Sequence, residues 1–290
     1  TAMCKAAQLG PAYVQAKNAA AHMVFVENGA SYICTGTLLN DTVAATQVPY
    51  FYSAAHCIDN QTVASTLNTY WAYENSACGT LDAQRHSPLT GGADLLFSDA
   101  VTDALLLRLR NPAPAGATFA GWDASPLAAN AEIIGIHHPS GDAKKVSVGR
   151  HVSDTYPQQF TVGWQEGTTE GGSSGSGLFA LYADSTYRLR GGLYGGKASC
   201  SNTGSLTNTA NRDHYSRLDL IFPQIKQWLA SEPVRENGSQ ALVRTAGAVA
   251  QGQGTRTAQT APTPAPVQST PSERQSVRRV SRGRSGVLDR

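Results

Sequence analysis

The distribution of short apolar segments is the feature that most constrains the fold of this chain. Runs of apolar and β-branched residues alternate with turn residues along the first 230 positions, which predicts β-strands. Strands do not alternate regularly with helices, and this argues against a parallel α/β sheet. Glycine is frequent, at 28 residues, and charged residues are only 15% of the chain. We therefore expect an all-β domain of the double-barrel or sandwich type.

The composition changes near residue 230 and divides the chain into two parts. Residues 220–229 carry apolar side chains at helical spacing and predict one helix that ends the globular part. Residues 231–290 are rich in Gln, Thr, Pro, Ser and Arg, which is typical of a low-complexity tail or linker. We predict a globular domain at 1–230 and a low-complexity basic tail or linker at 231–290.

The charge of the chain is unevenly distributed. Residues 231–290 hold nine Arg and four acids, a net charge of 9 − 4 = +5, so the first 230 residues sum to 2 − 5 = −3. The globular part therefore has no basic surface of the kind that binds nucleic acid. Contact of the Arg-rich tail with anionic polymers of a cell envelope is one hypothesis for its role.

Cysteine spacing and hydropathy indicate an exported protein. The five cysteines form no C-x-x-C pair, which argues against a zinc or redox site of that type, and their wide spacing fits disulfides with one cysteine left over. No run of eighteen apolar residues is present, so no membrane span is predicted. The first residues lack a basic segment followed by an apolar core. We expect a secreted or periplasmic protein processed from a precursor.

A glycine- and serine-rich run lies at residues 168–178 and reads T-T-E-G-G-S-S-G-S-G-L. It has two interpretations. Gly and Ser are common in flexible loops. Glycines also let the backbone curl so that N–H groups converge beside a serine hydroxyl and stabilise an oxyanion.

His56 and Asp103 are candidate partners for that serine. His56 follows a predicted strand in S-A-A-H-C, and Asp103 precedes another in D-A-L-L-L-R-L. Either residue alone fits a structural role. Serine nucleophiles need a base and a carboxylate that orients it, and this chain supplies His, Asp and Ser in one order. Their joint occurrence favours catalysis.

Two adjacent histidines, His137 and His138, occur in I-H-H-P-S-G-D-A-K-K. Neighbours on a strand point to opposite faces, and no third ligand has a diagnostic spacing, so a metal site is not favoured. No metal and no organic cofactor are expected.

At these residues the sequence resembles the trypsin-like serine endopeptidases of the chymotrypsin fold. S-A-A-H-C, T-D-A-L-L-L and G-S-S-G-S are similar to the histidine, aspartate and serine motifs of that family. The resemblance narrows to the bacterial secreted lysyl endopeptidases, through T-E-G-G-S-S-G-S, I-H-H-P-S-G-D-A-K-K, G-W-D and R-D-H-Y-S-R, and covers roughly residues 4–229. It implies two six-stranded antiparallel β-barrels with a C-terminal helix.

The resemblance also implies roles for single residues. Ser174 is the nucleophile, His56 its base and Asp103 the orienting carboxylate, while the N–H groups of Gly172 and Ser174 form the oxyanion hole. Ser173 is the alternative nucleophile on spacing alone. In animal trypsins an aspartate stands at the place of Ser173 and pairs with a freed N-terminus, so we predict that activation does not use that pairing here.

Specificity is expected to depend on an acid away from the usual trypsin position, which is Thr168 here. The resemblance places this acid at Asp213, with Glu170 as the next candidate. It also places Gly195 and Gly196 on the edge that pairs with the substrate backbone. Tyr194 stands where better-studied members carry a histidine. Their tryptophan lies on a loop that is shortened here, at residues 149–158, so rate and pH optimum are expected to differ.

The resemblance further implies two disulfides, Cys4–Cys200 and Cys34–Cys57, and leaves Cys78 without its family partner. All six lysines precede the tail, which would spare a lysine-specific protease from cutting its own tail. The sequence predicts a secreted, monomeric serine endopeptidase that acts on polypeptides and cleaves after lysine. The alternatives are a broader or Arg-including protease and a non-catalytic binding module of the same fold.

Overall fold

The computed structural model describes residues 1–43 and 45–230, together with the pairs 256–257 and 280–281. Strands dominate, and three α-helices and one short 3-10 helix (Pro139–Gly141) accompany them in the described residues. The α-helices are α1 (Ala2–Ala19), α2 (Gln61–Ala64) and α3 (Leu218–Leu229). The strands of the first half are β1 (Ala20–Glu27), β2 (Ala30–Leu39), β3 (Tyr50–Ala54), β4 (Asn68–Tyr70), β5 (Ala93–Asp99), β6 (Ala104–Leu109) and β7 (Thr118–Phe119). Those that follow are β8 (Glu132–His137), β9 (Lys145–His151), β10 (Gln159–Glu166), β11 (Gly177–Leu181), β12 (Tyr187–Gly196), β13 (Asp213–Ser216), β14 (Arg256–Thr257) and β15 (Val280–Ser281).

The first half of the chain forms an antiparallel sheet with the strand order β4-β1-β2-β3-β6-β5. Its inner face is apolar because alternate positions of β2, β3 and β6 point inward. Phe51, Leu105 and Leu107 are fully buried there, together with the Cys34–Cys57 disulfide. The register aligns Ala54 at the end of β3 with Ala104 at the start of β6. The residues that follow β3 and precede β6 therefore lie together.

The second half forms a closed antiparallel barrel with the order β10-β13-β12-β11-β8-β9. Large apolar side chains, among them Phe160, Trp164 and Tyr215, fill its interior. A further apolar cluster, which includes Tyr52 and Phe179, spans the contact between sheet and barrel. The predicted all-β fold with a C-terminal helix is confirmed, as a closed six-stranded barrel and a second antiparallel sheet.

Helix α3 begins two residues earlier than predicted and packs one face on the body. Leu218, Ile221, Ile225 and Leu229 are buried at spacings of three and four residues, so they form a single apolar stripe. This stripe joins the cluster between sheet and barrel.

The N-terminal segment, for which no helix is predicted from the sequence, is helical over residues 2–19. Gly10 has a φ of 79° and interrupts α1, and Pro11 opens its second part. Proline suits a first helical turn, where its missing N–H has no intrahelical partner. Tyr13 and Ala16 are buried under the sheet–barrel contact. The prediction of strands along the first 230 residues is also wrong in part at residues 61–92, since α2 occupies the start of this region and β4 ends at Tyr70.

The predicted pairing Cys4–Cys200 is wrong, and so is the prediction of a free Cys78. Cys4 is bonded to Cys78, with their Cα atoms 4.4 Å apart. Lys144 explains this proximity, because its carbonyl accepts from the Ala2 N–H and its N–H donates to Tyr73. The start of α1 is thus held beside the loop that carries Cys78. Cys200 is the free cysteine and is exposed.

Most of the predicted basic tail lies outside the described residues. Its two described pairs form short ladders, β14 with β7 and β15 with β2. In the described part of the chain, no helix is both long and apolar enough to span a membrane.

Candidate active site

His56 and Asp103 lie together at the paired ends of β3 and β6. The His56 Nδ1 is 2.6 Å from the Asp103 Oδ2, and the Asp103 Oδ1 accepts the His56 backbone N–H at 2.8 Å. The Asp103 carbonyl also accepts the Ala55 N–H at 3.1 Å. Both carboxylate oxygens therefore fix the histidine, one through its ring and one through its backbone.

Asp103 adopts an unusual backbone conformation. Its φ is 64°, in the left-handed region, and the residue is 3% exposed. Asp tolerates this region better than most residues, yet the conformation costs free energy and is kept only where its surroundings require it. Here it turns the carboxylate back toward the segment that follows β3.

The glycine- and serine-rich run forms a tight turn that docks against the first sheet. The Thr35 N–H donates to the Ser174 carbonyl at 2.8 Å, and the Thr35 hydroxyl donates to the Gly172 carbonyl at 2.9 Å. Gly175 has a φ of 78°, and a Cβ on it would lie 2.0 Å from the Ser53 Oγ. Only glycine lets the turn approach the end of β3, two residues from His56.

Two more carbonyls of this turn are held by backbone donors. The Gly171 carbonyl accepts the Ser140 N–H at 2.6 Å, and the Ser173 carbonyl accepts the Ser176 N–H at 3.0 Å. In a trans peptide the N–H points opposite to the carbonyl. The peptide N–H groups of Gly172 and Ser174 are therefore both directed away from these donors.

Tyr194 lies beside His56. Its ring stands edge-on to the imidazole, with centroids 6.1 Å apart. The β12–β13 ladder shifts register between Leu193 and Gly195, which leaves Tyr194 as the bulged residue. The Leu193 carbonyl accepts the Gly175 N–H at 2.8 Å. The bulge thus lies against both the glycine- and serine-rich turn and the histidine.

Asp213 is a buried carboxylate at the start of β13. It is 1% exposed, and its Oδ2 accepts from the Trp164 Nε1 and the Thr169 hydroxyl, both at 2.7 Å. Its Oδ1 has no hydrogen-bond partner within the described residues. A buried oxygen of this kind is costly unless a donor reaches it.

Burial raises the pKa of Asp213, and the hydrogen bonds from Trp164 and Thr169 offset this effect only in part. Gly196 leaves the space beside the carboxylate open, because a Cβ there would lie 2.3 Å from the Asp213 Oδ1. The geometry suits a cationic group that enters past β12 and donates to this oxygen.

The other candidate acid has a different setting. Glu170 is exposed, and its Oε2 accepts from the Ser140 hydroxyl at 3.2 Å. Thr168 stands at the usual position of the trypsin specificity acid, and its carbonyl accepts a hydrogen bond from the Ser147 hydroxyl at 2.8 Å. The buried acid beside the turn is Asp213.

His137 and His138 have separate partners. The His137 Nδ1 is 2.8 Å from the Ser173 Oγ, and the His138 Nδ1 is 2.9 Å from the Asp142 carbonyl. Burial lowers the pKa of both rings. Within the part of the chain that the structure describes, no three His, Cys, Asp or Glu side chains are grouped as metal ligands.

Comparison with known proteins assigns the chain to a family. The family described as lysyl endopeptidase, C-terminal domain, matches residues 1–216. The chain belongs to the lysyl endopeptidase family. It is 43% identical over 240 residues to a lysyl endopeptidase from Pseudomonas aeruginosa. That match covers 79% of this chain, which spans about half (51%) of the length of the curated relative.

Solved structures similar to this lysyl endopeptidase family member include two forms of a protease from M. tuberculosis. The active form has a TM-score of 0.48 and 16% identity, and covers 78% of this chain and 87% of that chain. The inactive form has a TM-score of 0.47 and 13% identity, and the match covers 76% of this chain and 93% of that chain.

Several residues around the site were missed at the level of sequence. No local pattern distinguishes Thr35, Trp164 or Thr169 from other strand and loop residues. His137 is predicted from the sequence only as an unfavoured metal ligand. Its place in I-H-H-P-S-G-D-A-K-K, a phrase similar to one in the lysyl endopeptidases, is the one signal that points to a role in the site.

Proposed function

We propose that this chain is a serine endopeptidase that cleaves polypeptides on the C-terminal side of lysine through an acyl-enzyme on Ser174. The observation that carries the proposal is the arrangement around the glycine- and serine-rich turn at residues 168–178, named here the nucleophile turn. Through Thr35 the turn docks on the sheet that carries the His56–Asp103 pair, and through Thr169 it contacts the buried Asp213. Membership of the lysyl endopeptidase family supports it.

His56 is the general base in this proposal. The 2.6 Å contact with Asp103 keeps the proton of the neutral ring on Nδ1, which leaves Nε2 to accept the proton of the Ser174 hydroxyl. The Nε2 is buried and has no hydrogen-bond partner among the described residues. It later returns the proton to the leaving amine.

Ser174 is favoured over Ser173 as the nucleophile. The Ser173 Oγ lies 2.8 Å from the His137 Nδ1 and accepts the Glu170 N–H at 3.2 Å, so its hydroxyl is engaged on the side of the barrel. The N–H groups of Gly172 and Ser174 stabilise the tetrahedral oxyanion, because their peptide carbonyls are held on the opposite side.

Asp213 selects lysine. An ammonium group beside Tyr194, Gly195 and Gly196 donates to the Asp213 Oδ1, which otherwise stays unpaired among the described residues. A charge-assisted hydrogen bond in a buried site exceeds a neutral one in strength. The edge of β12 at Gly195 and Gly196 pairs with the substrate backbone, as in other cases of strand addition.

Export from the cell belongs to the proposal as well. The two disulfides, Cys4–Cys78 and Cys34–Cys57, fit an oxidising compartment. Maturation from a precursor is part of the same hypothesis.

A digest of one unfolded protein of known sequence, read by mass spectrometry, tests the reaction. Wild type is expected to cut only Lys–X bonds, while Ser174→Ala is inactive and no longer reacts with a phosphonate that labels active serines. Cuts after arginine as well would establish the broader specificity. Absence of both cleavage and labelling in the wild type would reject the enzyme and favour a binding module.

A further inference from the structure

A buried histidine, His137, contacts the nucleophile turn at two places. It contacts Ser173 directly, and it contacts Thr168 through the Ser147 hydroxyl. It is the last residue of β8 and is 1% exposed, like Ser147 on the neighbouring β9. Ser173, directly before Ser174, has no exposed surface. The ring lies between these two hydroxyl groups, with its Nδ1 2.8 Å from the Ser173 Oγ and its Nε2 3.1 Å from the Ser147 Oγ.

The direction of each hydrogen bond follows from the number of protons available. The Ser147 hydroxyl donates its one proton to the Thr168 carbonyl at 2.8 Å, so it can only accept from His137. The His137 Nε2 must therefore carry a proton, and in the neutral ring Nδ1 is then an acceptor. Ser173 donates to Nδ1 and accepts the Glu170 N–H at 3.2 Å.

These contacts form one directional chain without a charged group. It runs from the Glu170 N–H through the Ser173 hydroxyl, the His137 ring and the Ser147 hydroxyl to the Thr168 carbonyl. Its two ends lie on either side of Thr169, whose hydroxyl binds the Asp213 carboxylate. The same ring thus anchors the pocket side and the nucleophile side of the turn.

We propose that His137 is a positioning residue that holds the nucleophile turn and the lysine pocket in their active geometry through Ser173 and Ser147. The inference rests on the proposed function and deepens it. A neutral histidine takes the place of the ion pair that a serine at position 173 cannot make. Burial, with the nearby charges of Lys145 and the N-terminal amine, lowers the pKa of His137 to about 3 and keeps the ring neutral.

The tautomer is the first test, and it is measured on the wild-type protein. In wild-type protein labelled with ¹⁵N at its histidine rings, His137 is expected to carry its proton on Nε2 and none on Nδ1 at neutral pH. Assignment of the ring uses the spectrum of His137→Asn. A proton on Nδ1, or a doubly protonated ring, would overturn the proposal because the Ser173 hydroxyl would then lack its acceptor.

Two substitutions separate the two anchors. His137→Asn places an amide oxygen near Nδ1 and can keep Ser173, whereas His137→Gln reaches toward Nε2 and can keep Ser147. Loss of one buried hydrogen bond is expected to cost about tenfold in kcat/KM. His137→Asn loses the contact with Ser147 on the pocket side, so its loss of kcat/KM should appear mainly as a higher KM. His137→Gln loses the contact with Ser173 on the nucleophile side, so its loss should appear mainly as a lower kcat.

The smaller variants Ser147→Ala and Ser173→Ala repeat the split if the histidine variants fold poorly. The matched control is His151→Asn. His151 is also buried in the barrel with two hydrogen bonds, to the Ala128 carbonyl and to Asp154, and contacts no part of the turn. Its variant is expected to lose thermal stability but keep kcat and KM within twofold.

Three results bear on the inference. The predicted KM and kcat split, absent from the control, supports it. Histidine and serine variants whose kcat and KM all stay within twofold of wild type, or follow the loss of stability as in the control, would overturn it. A wild-type protein that cleaves neither lysyl nor arginyl peptides would reject the proposed function instead, and the positioning role with it.

Discussion

Replacement of Asp213 by asparagine should change activity and stability in opposite directions. The amide oxygen of Asp213→Asn can still accept from Trp164 and Thr169, which now donate to the Oδ2 at 2.7 Å each. The shape of the pocket is kept and the negative charge is removed. The variant therefore isolates what the buried charge does.

The loss of activity can be estimated from the setting of the carboxylate. In the proposed complex, a lysine ammonium at Asp213 forms a buried, hydrogen-bonded charge pair, since the acid is 1% exposed. Removal of one partner from such a pair costs about 2–5 kcal/mol. At about 1.36 kcal/mol per tenfold, kcat/KM for lysyl peptides should fall between about 30-fold and several thousand-fold.

The gain in stability follows from the raised pKa of Asp213. The pKa of this carboxyl is higher in the folded state than in the unfolded chain. As the pH rises above the unfolded pKa, the free energy of unfolding therefore falls, because the folded state must bury a charge. Asparagine cannot ionise. The variant should melt at a higher temperature than wild type at neutral pH, and the difference should shrink as pH falls toward 3.8.

Peptide kinetics and thermal melts at several pH values test both parts. Asp123→Asn is the matched control, because Asp123 is also buried but lies 3.6 Å from the Arg190 guanidinium. Burial raises its pKa, yet the hydrogen bonds of Tyr182 and Ser125 and the charge of Arg190 bring it below its usual value. This control should melt lower at neutral pH and keep its lysine preference. An Asp213→Asn enzyme that melts lower, or that cleaves lysyl peptides as fast as wild type, would refute the reasoning.

Three further variants probe the other parts of the site and fold. Asp103→Asn should lower kcat by about four orders of magnitude and leave the fold intact, as this change does in a Ser-His-Asp triad. Peptide hydrolysis assays measure the rate, and circular dichroism checks the fold. Gly196→Ala should slow lysyl cleavage more than phosphonate labelling, because its Cβ would lie 2.3 Å from the Asp213 Oδ1. Removal of the Cys4–Cys78 disulfide, which spans 74 positions, should lower the free energy of unfolding by about 4 kcal/mol in urea titrations. Equal stability without the disulfide would contradict the last expectation.

The strands and the site motifs could be predicted because their signals are local. β6 was predicted with its observed bounds, Ala104–Leu109, since a short apolar run next to a turn is enough to mark a buried strand. The histidine, aspartate and serine motifs each occupy a few consecutive residues. The prediction that they meet required only the family resemblance, and the register of β3 with β6 brings His56 and Asp103 together.

Helix α1 was missed because its signals are weak or contradictory. The segment is rich in alanine, which favours helix, but its apolar face is narrow and the Gly10–Pro11 pair is typical of a loop. Only burial against the sheet–barrel contact makes the helix stable. The wrong Cys4–Cys200 pairing has a different origin, since it came from the family resemblance alone, whereas the structure joins Cys4 of α1 to Cys78.

The hydrogen bonds that support the site could not be predicted, because they join residues far apart in the chain. Thr35 and Gly172 are separated by 137 positions and His137 and Ser173 by 36, yet each pair is in direct contact. No local pattern distinguishes a threonine that donates to a turn from any other strand threonine. Such partners become visible only once the sheet and the barrel are packed together.

The proposed catalytic geometry depends on that packing at a single strand, β2. Thr35 lies in β2 and donates to the turn through both its backbone and its side chain, while its carbonyl accepts from the Ser53 hydroxyl at 2.9 Å on β3. The turn belongs to the barrel and the His56–Asp103 pair belongs to the sheet. Thr35 therefore links the two directly. Gly175 has no side chain to separate them, and a Cβ there would lie 2.0 Å from the Ser53 Oγ. In the proposed mechanism these contacts hold the nucleophile and its base in register, although each half folds around its own core.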